Sequence, residues 1–540
     1  MSEALLMGVD VGTTGAKVAI FDQRGRLLAL GRSEYGVRRI RPGWAEQDPE
    51  DWWRAVCDSV REALAAVPEG PARVGGVAVS SQAPTMLPLG GDGRPVRPAL
   101  IWMDRRADGE ALLLAEALGW KEIERVTGNR PDPFYVAPKL LWFRTHEPEK
   151  FANTATFVQA NGYINWRLTG VHSMDEVHAS LLQLFDRKTG EWSPELCEAC
   201  GVTPEAFPPS HPCHEMLGEV TAEAAESTGL RKGTPVMVGT VDGAAAAMEA
   251  GAVEPGVAAE MTGTSTVLLI PNRDGIVEPA LIAMPHAVPG VDLLLGATAA
   301  SGANLGWFRD RFGALESEAA EKLGLDVFDL LELEASSVPA GSGGVVFLPY
   351  MAGERAPIWH TNARGAFFGL SLETPRGGLI RAILEGTAFA LRHNVQVAEG
   401  AGVKVREVRS VGGGTRSALW NQITADVLGV PVLLPEAAVG APFGDAVLVG
   451  MGLGIYPDPE ETLRDLVSLR ARYEPNVDHR ALYDGLYGVF RNVYEHVRGD
   501  FDVLARVESS NQEKGATGCP PLMVFPGVSP PPISPAAWPS

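Results

Sequence analysis

Apolar and polar positions alternate from the first residues. Leu5 to Phe21 reads as two short strands around Gly12–Gly15, and "DQRGR" turns the chain into a third strand, "LLALGR". The spacing then lengthens to the helical period in "WAEQDPEDWWRAVCDSVREALAAV", where Asp48 can cap the helix and Pro49 suits its first turn. A buried strand, "VGGVAVSSQ", follows. Strands followed by helices predict an α/β domain. A second block opens at "TPVMVGTVDGAAAAMEAGAV" as strand, turn and small-residue helix, and runs on into "GVAAEMTGTSTVLLI". Asp10-Val-Gly-Thr-Thr there aligns with Met261-Thr-Gly-Thr-Ser, each between apolar strand residues. The echo predicts a duplication: two similar α/β domains, each presenting a Gly-Thr turn, with a cleft between them for a small ligand.

Length and charge narrow this. The chain has 540 residues, and at roughly 100 to 200 residues per domain that means two or three domains. A division at 1–250 and 251–500 is expected, with an irregular or disordered Pro-, Gly- and Ser-rich tail over 508–540. The net charge of −21 argues against a nucleic-acid or anionic-membrane partner, since phosphate backbones and lipid surfaces need clustered Lys and Arg. A small phosphorylated ligand remains allowed. Asp10 interrupts the N-terminal apolar run, so no targeting segment is read there, and no stretch approaches the ~18 apolar residues of a membrane span. Five cysteines do not make a disulfide framework. The expectation is a cytosolic enzyme or binding protein.

Three segments could carry chemistry. In "DVGTTG", Gly12 lets backbone N–H groups converge on an anion, Thr13 and Thr14 add hydroxyls, and Asp10 could hold Mg²⁺ beside phosphates. A plain hairpin with a solvated Asp is the rival, and Lys17 reads as a rim charge. In "VGTVDGAAAAMEAG", Asp242 ends a strand before an Ala-rich helix. It could accept a proton from a hydroxyl attacking phosphorus, or merely cap the helix, which is the commoner use. In "VRSVGGGTRSALWNQITADVLGVPV", the open turn at Gly412-Gly413-Gly414 could receive a purine and ribose, with Ser417 and Asn421 offering polar contacts. Neither a Walker loop nor a dinucleotide fingerprint is present.

Together, and in this order, these segments resemble the FGGY carbohydrate kinases. "GWAEQDPEDWW", "RPALIWMDRRA", "APKLLWFRTHEPE", "NGYINWRLTG", "FLPYMAGERAPIWHTNARGAFFGLS" and "RAILEGTAFALRHN" extend the likeness over roughly the first 490 to 500 residues, most similarly to the xylulokinases. The resemblance implies an α/β fold of two ribonuclease-H-like domains, of the actin and sugar-kinase type, closing on a cleft. It implies ATP and Mg²⁺ as cofactors and a sugar or polyol as partner, best read as D-xylulose converted to D-xylulose 5-phosphate. Homodimers are usual in such relatives. By the same resemblance Asp10 is the Mg²⁺-associated carboxylate and Asp242 the general base. Gly12, Thr13, Thr14, Gly263, Thr264 and Ser265 face the ATP phosphates. Gly413, Gly414 and Asn421 line the adenosine site, and Gln82 and Asp104 meet the sugar.

The chain also departs from that pattern. Gln82-Ala83-Pro84-Thr85 stands where xylulokinases usually read Gln-Met-His-Gly, so a sugar-facing His is missing. Gly243 follows the base where a polar group is common, Gly162 replaces an acidic residue, and a polar residue is absent before "RAILEG". A pocket losing hydrogen-bonding groups can change its preferred substrate, so ribulose or erythritol are open alternatives. A non-catalytic sugar or nucleotide sensor and an actin- or chaperone-like ATPase are the rival functions, and intact Asp10 and Asp242 speak against the sensor. Cys197, Cys200, His211, Cys213 and His214 have zinc-like spacing, but idle buried thiols are the favoured expectation. Most tryptophans read as core residues, and Trp307 is the best candidate for a wall of the sugar cleft.

Overall fold

The opening hairpin forms as the alternation predicts. β1 (Leu5–Val11) and β2 (Gly15–Phe21) pair antiparallel, and β3 (Leu27–Glu34) adds to β2. The computed structural model describes residues 4–436 and 439–516, the stretch 508–516 as backbone only. α1 (Pro49–Ala65) starts where Asp48 accepts the Glu50 N–H, and it buries Trp52, Val56, Val60 and Ala63 at helical spacing against this sheet. β4 (Val74–Ser81) then lies parallel to β1. β5 (Met216–Glu219), β6 (Pro235–Met237) and the short β7 (Thr240–Val241) complete the sheet. Its order is β5–β6–β4–β1–β2–β3, with β7 paired to β4. Between β4 and β5 runs a largely helical insertion, held by its own apolar cluster around Leu140, Trp142, Phe143 and Phe157.

α2 (Asp242–Glu249) leads from β7 into a second sheet. Its strands are β8 (Val257–Thr262), β9 (Thr266–Asn272), β10 (Ile282–Pro285), β11 (Asp292–Thr298), β12 (Glu407–Val411), β13 (Val432–Pro435) and β14 (Leu469–Tyr473). The order is β10–β11–β9–β8–β12–β13–β14. Each sheet therefore contains the same winding. A three-stranded antiparallel meander (β3–β2–β1, and β11–β9–β8) continues into a parallel strand (β4, and β12). The repeat heard in the sequence is a repeat of topology, and the two Gly-Thr turns occupy matching places, between β1 and β2 and between β8 and β9.

α3 (Gly302–Phe312) and α4 (Arg376–Gly400) fill the connection from β11 to β12, and α5 (Ala418–Leu428) follows β12. α6 (Pro442–Gly452) comes after β13 in the chain but packs on the first sheet, against β1 and β4. Two glycines allow the approach. A Cβ on Gly8 of β1 would stand 1.9 Å from the Pro442 carbonyl oxygen, and one on Gly444 would stand 2.2 Å from that of Ala245 in α2. One apolar cluster, including Leu6, Phe21, Ala244, Met248, Ala259, Leu269, Phe443 and Val447, thus spans both sheets through α2 and α6.

The last helix, α7 (Arg480–Ala516), corrects the expected start of the irregular tail. Tyr483, Tyr487, Phe490, Tyr494 and Phe501 recur at helical spacing, are buried, and anchor it, so regular backbone continues past Glu508. The rest of the expected tail, 517–540, lies outside the described residues. Among the described residues no helix is long and apolar enough to cross a membrane.

Candidate active site

The two Gly-Thr turns are built alike. In the first, Gly12 N–H donates to the Gly15 carbonyl (3.0 Å), and the other carbonyls are taken from behind. Tyr35 donates its hydroxyl to Gly12 O (2.6 Å) and its N–H to Thr14 O (3.0 Å), while Gln47 Nε2 donates to Thr13 O (2.7 Å). In the second, Gly263 N–H donates to Ser265 O (2.9 Å). The first amides of α3 hold its remaining carbonyls: Gly302 N–H donates to Gly263 O (3.0 Å), and Ser301 and Ala303 N–H donate to Thr264 O (2.9 and 3.1 Å). Among the described residues, the N–H groups of Thr13, Thr14, Thr264 and Ser265 have no protein partner. Occupied carbonyls with unpartnered amides make a turn ready for anionic oxygens.

Asp10 ends β1 at the mouth of the first turn, opposite Lys17 in register. Its Oδ1 is buried without a hydrogen-bond partner. Burial pushes its pKa up to about 7, the nearby Asp242 carboxylate adds to the rise, and Lys17 opposes it. Asp242 is the first residue of α2. It accepts the Gly243 N–H (2.7 Å) instead of capping from outside, and Val241 holds the cap position. Burial pushes Asp242 up to about 6, with the Gly243 amide and His178 pulling the other way. Asp445 of α6, sealed from solvent, accepts the Ser80 hydroxyl (2.7 Å), and burial raises its pKa, with Asp10 and Asp242 adding to the effect. Lys17 is no rim charge: its Nζ donates to Val439 O (2.9 Å). Glu249, at the far end of α2, accepts the Val439 and Gly440 amides (2.6 and 2.8 Å). The two side chains clasp the entry to α6.

On the side of the second sheet lies a cavity of about 920 Å³, lined by Gly263, Thr264, Gly413, Gly414, Ser417 and Phe328, among others. Gly413 and Gly414 line this cavity beside Gly263 and Thr264 of the second turn. Trp307, expected at a wall of the sugar cleft, lines this same cavity from α3, which begins at the second turn. Asn421 lies behind the glycine turn, on a small cavity that it shares with Gly414 and Thr415. Its Nδ2 donates to Thr415 O (3.1 Å), bracing the glycine turn, and it does not line the large cavity.

Two expected sugar ligands are otherwise engaged. Asp104 is sealed from solvent, accepts the Ala45 N–H (2.6 Å), and pairs with Arg106 through Nε and Nη2 (2.9 and 2.8 Å). It fixes a loop and presents no free oxygen. Gln82 is buried and donates to Gln47 Oε1 (2.6 Å), so it supports the first turn through Gln47, and its own Oε1 is left without a partner. The Trp102 indole N–H donates to the Thr13 hydroxyl (3.0 Å), and its ring lies under the Arg355 guanidinium (5.1 Å). That stack joins the first sheet's side of the molecule to the second's. Cys197 and Cys200 sit in the insertion's apolar cluster and Cys213 in another, so the zinc-like spacing does not gather a ligand set among the described residues.

Two Gly-Thr turns of like build, buried carboxylates beside the first and a large cavity beside the second fit a two-domain, ATP-dependent carbohydrate kinase, and the comparisons with known proteins show that class. The family model described as FGGY family of carbohydrate kinases, N-terminal domain, matches residues 5–248, and the C-terminal domain model matches 258–453. The chain belongs to the FGGY family of carbohydrate kinases. It is 28% identical to a xylulose kinase of Bacillus subtilis, over 91% of this chain and 97% of that one. It is 32% identical to an autoinducer-2 kinase of Yersinia enterocolitica, over 91% and 94%. Among solved structures, xylulose kinase from Rhodospirillum rubrum superposes with a TM-score of 0.85 at 32% identity, covering 92% of this chain and all of that one.

Proposed function

We propose that the protein transfers the γ-phosphoryl group of ATP to a hydroxyl of a ketopentose, with D-xylulose as the first candidate and D-xylulose 5-phosphate as product. The observation that carries the proposal is the pair of Gly-Thr turns, built alike with their amides unpartnered, with the buried Asp10 at the first and Asp242 near enough to act on its charge. Thr13, Thr14, Thr264 and Ser265 bind phosphate oxygens through backbone N–H and hydroxyl groups. Asp10, with its unpartnered buried oxygen, suits Mg²⁺, held directly or through water. When bound, the ion neutralises charge on the phosphates. Gly413 and Gly414 hold the adenosine end.

Asp242 orients the acceptor hydroxyl and takes its proton as the new oxygen–phosphorus bond forms and the bond to ADP breaks. Closure of the two domains on the substrate keeps water from taking the phosphoryl group. The autoinducer-2 kinase relative keeps a second acceptor in view, because Asp104 offers no free oxygen and no imidazole stands at Pro84. A coupled assay of ADP release over D-xylulose, D-ribulose, erythritol and autoinducer-2, with products weighed by mass spectrometry, tests the proposal. Acceptor-dependent ADP release with D-xylulose and a product heavier by one phosphoryl group is the expected result. Preference for another acceptor replaces xylulose and leaves the kinase standing, whereas ADP release independent of every acceptor removes the reading.

A further inference from the structure

The short helix Glu176–Ser180 packs against β7, the strand that delivers Asp242. Its cap residue, Asp175, accepts two bonds from one partner: the His178 backbone N–H (2.9 Å) and the His178 Nδ1–H (2.6 Å). One carboxylate thereby fixes both the helix start and the ring. Asn161 Nδ2 donates to the same carboxylate (2.9 Å). On the ring's other side, Nε2 lies 3.2 Å from Ser81 Oγ. Ser81 is the last residue of β4 and pairs in register with Val241, the residue before Asp242.

Ser81 Oγ also accepts the Asn161 backbone N–H (3.1 Å) and faces the Gln82 carbonyl at 3.4 Å. With Nδ1 on Asp175 and Nε2 on Ser81 Oγ, both ring nitrogens are engaged and every group in this chain has a partner. The side chains are sealed, with Ser81 and His178 at 0% exposure, Asp175 at 1% and Asn161 at 2%. A buried polar network is worth keeping only when complete, and this one is complete without any ligand. The order Ser–His–Asp suggests a nucleophile relay. Ser81 is excluded from that role because its hydroxyl is out of reach of solvent and already takes a backbone amide. The network leads to Asp242 through the strand pair of Ser81 with Val241, the residue before it.

We infer that His178 is a positioning residue for the catalytic carboxylate: locked between Asp175 and Ser81, it sets through the Ser81–Val241 strand pair where Asp242 stands. Nothing in the phosphate turns or the nucleotide cavity requires this network. It also returns an imidazole to the neighbourhood of the base from a different element, although Pro84 occupies the place where the resembling kinases carry a sugar-facing one. The inference rests on Asp242 acting as the base.

The test uses the full chain with Ser81→Ala, His178→Ala and His178→Gln, assayed with D-xylulose or the best acceptor of the panel, beside calorimetric MgADP binding. Ser81→Ala and His178→Ala are expected to lower kcat by about 10- to 100-fold, the range for a small misplacement of a reacting group, with acceptor KM and MgADP affinity held within about twofold. His178→Gln, whose amide can reach Ser81, is expected to recover most of the rate. Unchanged kcat in the folded variants would overturn the inference. So would a kcat loss that tracks lost MgADP affinity or Tm, which marks plain packing, or a Gln variant as slow as Ala. If His178→Ala does not fold, Ser81→Ala removes one oxygen and decides alone. Turnover surviving in Asp242→Asn would instead strike at the base itself.

Discussion

Asp104 and Asp242 both follow apolar residues, and packing separates their surroundings. Asp104 belongs to "WMDRR", where the neighbouring Arg106 turns back onto it while stacking on Trp44 (3.7 Å) and Trp142 (4.8 Å). Those tryptophans come from distant parts of the chain, so no local pattern announces that Asp104 is spent on structure. Asp242 accepts its own Gly243 amide at Oδ1, and its other oxygen is free for the proposed chemistry. The turn residues were legible because glycine and threonine act through backbone and hydroxyl, which need no partner to be recognised. Tyr35, Gln47 and Trp102 were not, since each reaches the turn from another element. A base raised to about 6 carries its own signature. It works only when deprotonated, so kcat/KM for the acceptor at saturating Mg²⁺, which keeps Asp10 ionised, is expected to fall about tenfold per pH unit below about pH 6. An acidic limb near pH 4, the ordinary carboxylate range, would contradict that assignment.

The strands and helices around the site follow their sequence signals closely: the opening hairpin, the Asp48-capped helix, the β7–α2 junction and the strand ending in Gly412 all form where periodicity and turn residues put them. The place of α6 does not follow. "PFGDAVLVGMG" is apolar nearly all round, which says that it is buried but not against which sheet. Gly8 and Gly444 decide it, and neither glycine names its partner in the sequence. Gly444→Ala would push a methyl group into the Ala245 carbonyl, three residues from Asp242. Overpacking of this kind costs about 1–3 kcal/mol, so a lower Tm and a lower kcat are expected together. Calorimetry and the coupled assay that find both unchanged would show that the α2–α6 crossing does not set the site.

At the scale of the whole molecule, two copies of one winding face each other, and each contributes a turn with free amides. The net charge is strongly acidic, yet in the proposed mechanism the polyanion is met by backbone N–H groups, so net charge and ligand charge need not oppose. The duplication was legible from a five-residue echo because equivalent turns solve the same problem. The joint between the copies was not, because it is made by α2 and α6, which lie far apart in the sequence. Everything functional in this arrangement converges on one carboxylate. Asp242→Asn keeps the shape and removes the basicity, so acceptor-dependent turnover is expected to fall by about 10²- to 10⁴-fold while calorimetric MgADP affinity stays within about twofold. Turnover at the wild-type rate in that variant, with binding intact, would contradict the account.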